Sequence, residues 1–131
     1  MTVIQWTEAM SVDVPLLDKD HKKLIQMIND LDQTAPDFME LFNAVLDYTT
    51  GHFDREEAHL EAIGYPGLDG HRTQHDSFAD EVAAMLRQYR EQAFDAADSR
   101  LKDFLWSWLK GHILIEDQRY AAWTRAKAKG C

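Results

Sequence analysis

The sequence predicts an all-α fold, an up-down-up-down antiparallel four-helix bundle with an extended N-terminal arm and a short C-terminal helix. Two observations carry this. Four segments place apolar residues three and four apart, the spacing of one helical face, and no segment shows the strict alternation of a half-buried strand. The breaks between them are short, which makes consecutive helices antiparallel neighbours.

Residues 1–17 lack a helical period and contain Pro15, so they are expected to form the arm. The first helix is expected over about 18–34, capped by Asp18, with His21, Leu24, Ile25, Ile28 and Leu31 on one face. The second is expected over 36–63. Pro36 suits its first turn and Thr34 is a candidate cap. Its stripe reads Leu41, Val45, Tyr48, His52, Glu56, Leu60 and Ile63, and Gly64-Tyr65-Pro66-Gly67 stops it. The third, over 70–90, carries His71, His75, Phe78, Val82, Leu86 and Tyr89. Glu91 to Asp95 forms a connection. The fourth, over 96–117, presents Leu101, Leu105, Trp108, Leu109 and His112, and Tyr120 to Lys129 adds a short helix within the tail 118–131. The chain reads as one domain over 1–131.

Composition narrows the functional classes. With 45% hydrophobic and 28% charged residues the chain is globular in type. Its 14 Lys and Arg against 23 Asp and Glu give a formal charge of −9, which disfavours nucleic acid and anionic membranes as partners. No apolar run approaches a membrane span and no signal-peptide pattern opens the chain, so a cytoplasmic location is expected. The lone Cys131 excludes an internal disulfide or a thiolate metal site in the core, and is expected to be an incidental thiol.

Seven polar residues stand out because of their heights. Each pair at four-residue spacing, His52 with Glu56 and His71 with His75, projects from one helical face. From His21 down to the turn near residue 35 is about 21 Å, and back up to residue 54 about 28 Å. The second hairpin descends about 30 Å from residue 73 and returns about 29 Å to His112. All four helices therefore deliver imidazole or carboxylate to one interior layer. Burying so many unpaired polar groups is costly, and a shared cation resolves the cost. Asp117 is awkward. Five residues beyond His112 is about 140° off its direction on an ideal helix. A local π-bulge, or a carboxylate bridging toward a second metal, repairs the geometry, and Glu116 is the rival on spacing. Mixed imidazole and carboxylate ligation suits Fe, Mn or Zn.

These residues resemble the hemerythrin family, in particular its stand-alone, single-domain bacterial members. The matching text is Trp6, then Leu17-Asp18-Lys19-Asp20-His21-Lys22, then His52-Phe53-Asp54-Arg55-Glu56-Glu57, then Gly64-Tyr65-Pro66, His71-x3-His75 and Trp108-Leu109-x2-His112-Ile113-x3-Asp117. It spans Trp6 to about Tyr120. The chain departs at Leu60, where many relatives carry Met, and at His59, where an apolar residue is usual. The resemblance implies two non-haem irons, one held by His71, His75 and His112, the other by His21 and His52. Glu56, Asp117 and an oxo or hydroxo group bridge them. This ligand set leaves one open position, on the iron with two histidines, where the family binds O2 reversibly. The resemblance further implies that Phe53, Trp108 and Leu109 line the O2 pocket, and that no residue is catalytic.

The expected function is thus O2 transport, delivery or storage in the cytoplasm by a monomer that is not an enzyme, with a cytoplasmic oxygenase as one recipient. About 17 residues before the bundle and about 14 after it leave little to transmit a signal, so an O2- or redox-sensing module acting through a protein partner is the alternative. A di-iron oxidase or peroxidase is a further one. Ferritin-like enzymes need two Glu-x-x-His pairs, and this chain has only Glu56 with His59. His59 itself is expected on a partly exposed helix surface.

Overall fold

The computed structural model describes residues 5–32, 36–92 and 100–130, without the side chains of 89–92, 100, 129 and 130. The helices are α1 (Pro15–Asn29), α2 (Phe38–Ala62), α3 (Leu68–Gln92), α4 (Arg100–Gly111) and α5 (Asp117–Gly130). A π-helical segment, His112–Glu116, joins α4 to α5 into one continuous rod. A 3₁₀ turn, Glu8–Met10, interrupts the arm. α1 packs on α2 and α4, α2 packs on α3, and Phe78 of α3 packs on Phe104 and Trp108 of α4, which closes the four-helix bundle.

The arm gives way to helix earlier than Asp18. Pro15 occupies the first turn of α1, where its missing N–H has no partner to lose and its fixed φ is already helical. Asp18 lies inside the helix, and its carboxylate reaches back to accept from the Val12 N–H (2.9 Å) and the Ser11 hydroxyl (2.7 Å). It thus ties the arm down instead of capping the helix. α1 ends at Asn29, short of residue 34. α2 opens at Phe38, after a turn through Pro36 and Asp37. Thr34 lies outside the described residues.

The buried face of α2 is rotated from the expected stripe. Phe38, Phe42, Val45, Thr49, His52, Phe53, Glu56 and Leu60 face inward, while Leu41 is exposed and Tyr48 half-buried. The large Phe38 and Phe42 rings outbid Leu41 for the interior because they remove more apolar surface from water. At its other end Gly64 takes φ +70°, and the Tyr65 N–H bonds the Leu60 carbonyl at 3.0 Å. This is a Schellman ending, which favours glycine because a Cβ clashes in the left-handed region.

α3 starts at Leu68, two residues before Gly70, and buries His71, His75, Phe78 and Val82. It runs through Gln92, so the expected connection begins later than Glu91. Residues 93–99, including the expected start of the fourth helix near 96, lie outside the described residues, as do the Tyr89 side chain and Cys131. Two apolar clusters sandwich the histidine layer. The larger includes Leu24, Ile28, Phe42, Val45, Leu105 and Leu109. The smaller, at the arm end, contains Val12, Leu17, Leu60, Tyr120 and Ala121.

Candidate metal centre

All seven singled-out residues meet between the clusters, and all are buried, Glu56 and Asp117 completely. α1 contributes His21, α2 His52 and Glu56, α3 His71 and His75. The last rod contributes His112 and Asp117. The π-helical segment explains how the final pair shares a face. The Asp117 N–H bonds the His112 carbonyl, an i to i+5 bond that widens the turn by one residue. Glu116, the rival on spacing, stays outside the cluster and pairs with Arg119 at 3.3 Å.

The ligand atoms divide into two sets. Glu56 with His71, His75 and His112 forms one, and His21, His52, Glu56 and Asp117 the other, each with its polar atoms within 4.8 Å of one another. The carboxylates span both. Glu56 Oε1 lies 3.0 Å from His75 Nε2 and 3.4 Å from His112 Nε2, while its Oε2 lies 3.5 Å from His52 Nε2 and 3.8 Å from His21 Nε2. Asp117 Oδ1 lies 3.0 Å from His112 Nε2 and 3.1 Å from His71 Nε2, and its Oδ2 lies 3.1 Å from His21 Nε2. Each acid therefore turns one oxygen to a three-histidine group and the other to a two-histidine group.

This donor set fits a pair of cations. All five histidines point Nε2 inward, with His21 and His52 3.0 Å apart and His75 and His112 3.1 Å apart at those atoms. Two imidazole lone pairs at such distances repel unless a proton or a cation lies between them. Both Asp117 oxygens are buried, yet no donor is aligned to hydrogen-bond either of them. Buried carboxylate oxygens of this kind ordinarily coordinate metal or pair with charge.

Without metal the layer charges itself. Burial lowers the basicity of His21, His71 and His112, but the Asp117 and Glu56 carboxylates outweigh it and raise all three to about 9. Burial also pushes Glu56 upward, and the surrounding imidazoles hold it well below the usual carboxylate range. Asp117 is raised by burial and by Glu56, and His112 and His21 override both to lower it.

A second ring of groups orients the first, and sequence reasoning missed it. Asp20 accepts from His52 Nδ1 (2.9 Å), from Arg55 Nε (2.8 Å) and Nη2 (3.0 Å), and from the Tyr48 hydroxyl (2.8 Å). Burial opposes ionisation of Asp20, but these donors hold its carboxyl well below the ordinary range. Glu57 accepts from His75 Nδ1 at 2.8 Å and from Arg72 Nε at 3.2 Å. A carboxylate at Nδ1 fixes the tautomer that leaves Nε2 free to ligate. Tyr120 donates to Glu56 Oε2 at 3.1 Å, and burial, with Asp117 and Glu56 beside it, keeps its phenol protonated far above the ordinary range. His21 Nδ1 is buried without a partner. The only signals in the sequence were acids adjoining ligands, Asp20 beside His21 and Glu57 beside Glu56.

The three residues expected to line an O2 pocket lie in two places. Phe53 stacks on His75 (centroids 3.7 Å apart, planes 5°) and Trp108 on His112 (4.5 Å, 16°), both in the three-histidine group. Trp108 and Leu109 also border a small apolar void with Leu24, Ile28, Val45 and Thr49. Leu24 and Thr49 stand one turn from His21 and His52, so Leu109 faces the two-histidine side. His59 is half-buried with its ring 6.4 Å from that of Tyr120, outside both ligand sets.

Comparison with known proteins agrees with this geometry. Residues 12–124 match the family model described as the hemerythrin HHE cation binding domain. Bacteriohemerythrin of Stenotrophomonas maltophilia is 30% identical over 131 residues, covering 96% of this chain and 84% of that protein. Bacteriohemerythrin of Ralstonia nicotianae is 32% identical over 127 residues, covering 94% and 90%. The fold matches the crystal structure of a hemerythrin L114A mutant with a TM-score of 0.81 and 25% identity, over 93% of this chain and 97% of that one.

Proposed function

Because this chain belongs to the hemerythrin family, we propose that its buried layer holds two non-haem irons and binds O2 reversibly, as a carrier, store or donor of O2 in the cytoplasm. One observation carries the reading: Glu56 and Asp117 each divide their oxygens between a three-histidine and a two-histidine group. His71, His75 and His112 would hold one iron, His21 and His52 the other, and Glu56 and Asp117, each with an oxygen turned to either group, would serve both. When bound, the iron pair would supply the two electrons that reversible binding of O2 draws on.

The protein's own contribution is positioning and exclusion of water. Asp20 and Glu57 each buttress one histidine, one per iron, and so fix the imidazole planes before metal arrives. Leu109, with the largely apolar void it borders, walls the two-histidine side, which would keep water from that half of the site. Phe53 and Trp108 brace His75 and His112 from outside. Among the described residues, the side chains that hydrogen-bond the seven, Asp20, Glu57 and Tyr120, each hold a ligand in place, an arrangement that favours binding and release over turnover of a second substrate.

The test is the visible spectrum of anaerobically reduced protein before and after air, with iron counted per chain. Two irons and a charge-transfer band that vanishes on removing O2 are expected. One zinc per chain, or sustained O2 consumption that depends on an added substrate, overturns the reading.

A further inference from the structure

Among the described residues, one side chain outside the seven puts a polar atom on a ligand carboxylate. Tyr120 donates its hydroxyl to Glu56 Oε2 at 3.1 Å, and the ring is wholly buried. That oxygen is the one turned to His21 and His52, whereas Oε1 faces the three-histidine group. Asp117 has no equivalent tether: neither of its oxygens meets an aligned donor. On the two-histidine side, His21 Nδ1 is buried without a partner while His52 leans on Asp20.

We propose, resting on the di-iron reading above, that Tyr120 is a positioning residue for the two-histidine half alone, its hydroxyl holding Glu56 Oε2 where that half needs it. The three-histidine half keeps a third imidazole and an untethered Glu56 oxygen, so it does not depend on the phenol. The two-histidine half has only two imidazoles, one of them unsupported, and depends on both bridging carboxylates. The halves therefore fill and empty in order, with the two-histidine metal last in and first out. Tyr120 sits three residues beyond Asp117, so the π-helical register that brings the acid into the layer brings its neighbour's tether too. Edge contacts to Tyr65 (6.2 Å) and His71 (5.6 Å) seat the ring, independently of the hydroxyl.

The experiment measures anaerobic release of Fe(II) to a chelator from fully loaded protein, in wild type and in Tyr120→Phe, which keeps the ring. Two phases are expected in wild type, and His21→Ala, which deletes a ligand of the two-histidine half, identifies the phase it removes as that half. Loss of an outer hydrogen-bonding partner ordinarily costs about 10- to 100-fold in metal affinity. Tyr120→Phe is therefore expected to speed the fast phase at least about tenfold and leave the slow one unchanged. His59→Ala, which alters ring packing without touching the hydroxyl, is expected to leave the ratio of the phases as it is. If Tyr120→Phe moves both phases equally, or neither, the proposal is wrong. Should that variant not fold, 3,5-difluorotyrosine at position 120 keeps the shape and changes the donor, and an unchanged ratio overturns the proposal in the same way. A wild type that binds no iron overturns the di-iron reading itself, which is a separate outcome.

Discussion

Asp20 offers the sharpest test of how the outer ring supports the metal layer. Its two oxygens take four hydrogen bonds: Oδ2 from His52 Nδ1 and Arg55 Nε, Oδ1 from Tyr48 and Arg55 Nη2. Asp20→Ala removes all four. Arg55 is about a third exposed (37%) and regains water, so its loss counts for little, but His52 is 1% exposed and keeps a buried N–H with no acceptor. A hydrogen bond to a charged partner is worth about 1.5–3 kcal/mol. That range agrees with the roughly 10- to 100-fold loss of metal affinity typical when such a partner is removed. Asp20→Asn is milder, because its amide, turned to put oxygen at the Oδ2 position, keeps the His52 bond and loses only the charge. Anaerobic Fe(II) titration against a competing chelator should rank wild type above Asn above Ala, with the loss confined to one of the two equivalents. An Asp20→Ala protein with wild-type affinity, or one weakened equally at both equivalents, would refute the reasoning.

The remaining predictions concern the pocket wall and the charge of the metal-free layer. Leu109→Ala is expected to retain two irons while oxidising faster to the inert diferric state, at a cost in stability of about 2–5 kcal/mol, read as stopped-flow autoxidation and a thermal midpoint. Unchanged autoxidation removes Leu109 from the O2 wall. In metal-free protein, His21, His71 and His112 titrate near 9 against an ordinary 6.5. Their pairing with Glu56 and Asp117 therefore stabilises the fold fully below about 6.5 and fades as pH rises through about 9. The depressed carboxylates give the acid limb, present above their ordinary range and lost as pH falls through their lowered values. Iron-loaded protein holds these histidines unprotonated and should lack the alkaline limb, so the two thermal-midpoint profiles must diverge above about pH 8. Metal uptake at neutral pH should also release protons, measurable in weak buffer.

Much of this site was legible because metal ligation needs residues at matched heights, and height follows from counting residues along helices. His21, His52, Glu56, His71, His75 and His112 declared themselves in that way. Asp117 was legible only as a conflict in spacing, and the π-helical segment was one of the two repairs that spacing allowed. Asp20 and Glu57 were not readable. An acid next to a ligand points about 100° away from it, toward a helix whose rotation the sequence does not reveal. The same uncertainty in rotation put Leu41 inside α2 when Phe42 lies there. Tyr120 was missed for a different reason: a tail helix expected to be separate from the fourth has no register relative to the layer, yet the rod continues unbroken through Asp117 to Gly130.

The π-helical segment also bears on where this chain tolerates a change of length. Five residues there complete one turn from His112 to Asp117, where a regular helix uses about four. Removing one residue from 113–116 would relax the segment to an ordinary turn and still deliver Asp117, Tyr120 and all that follows close to their present directions. Removing one anywhere in 102–110 would instead turn His112 by about 100° relative to the helix start and take the whole rod out of register. The widened turn is thus the stretch of the last rod where a deleted residue can be absorbed without disturbing the layer, with Ile115, 56% exposed, standing where the surplus emerges.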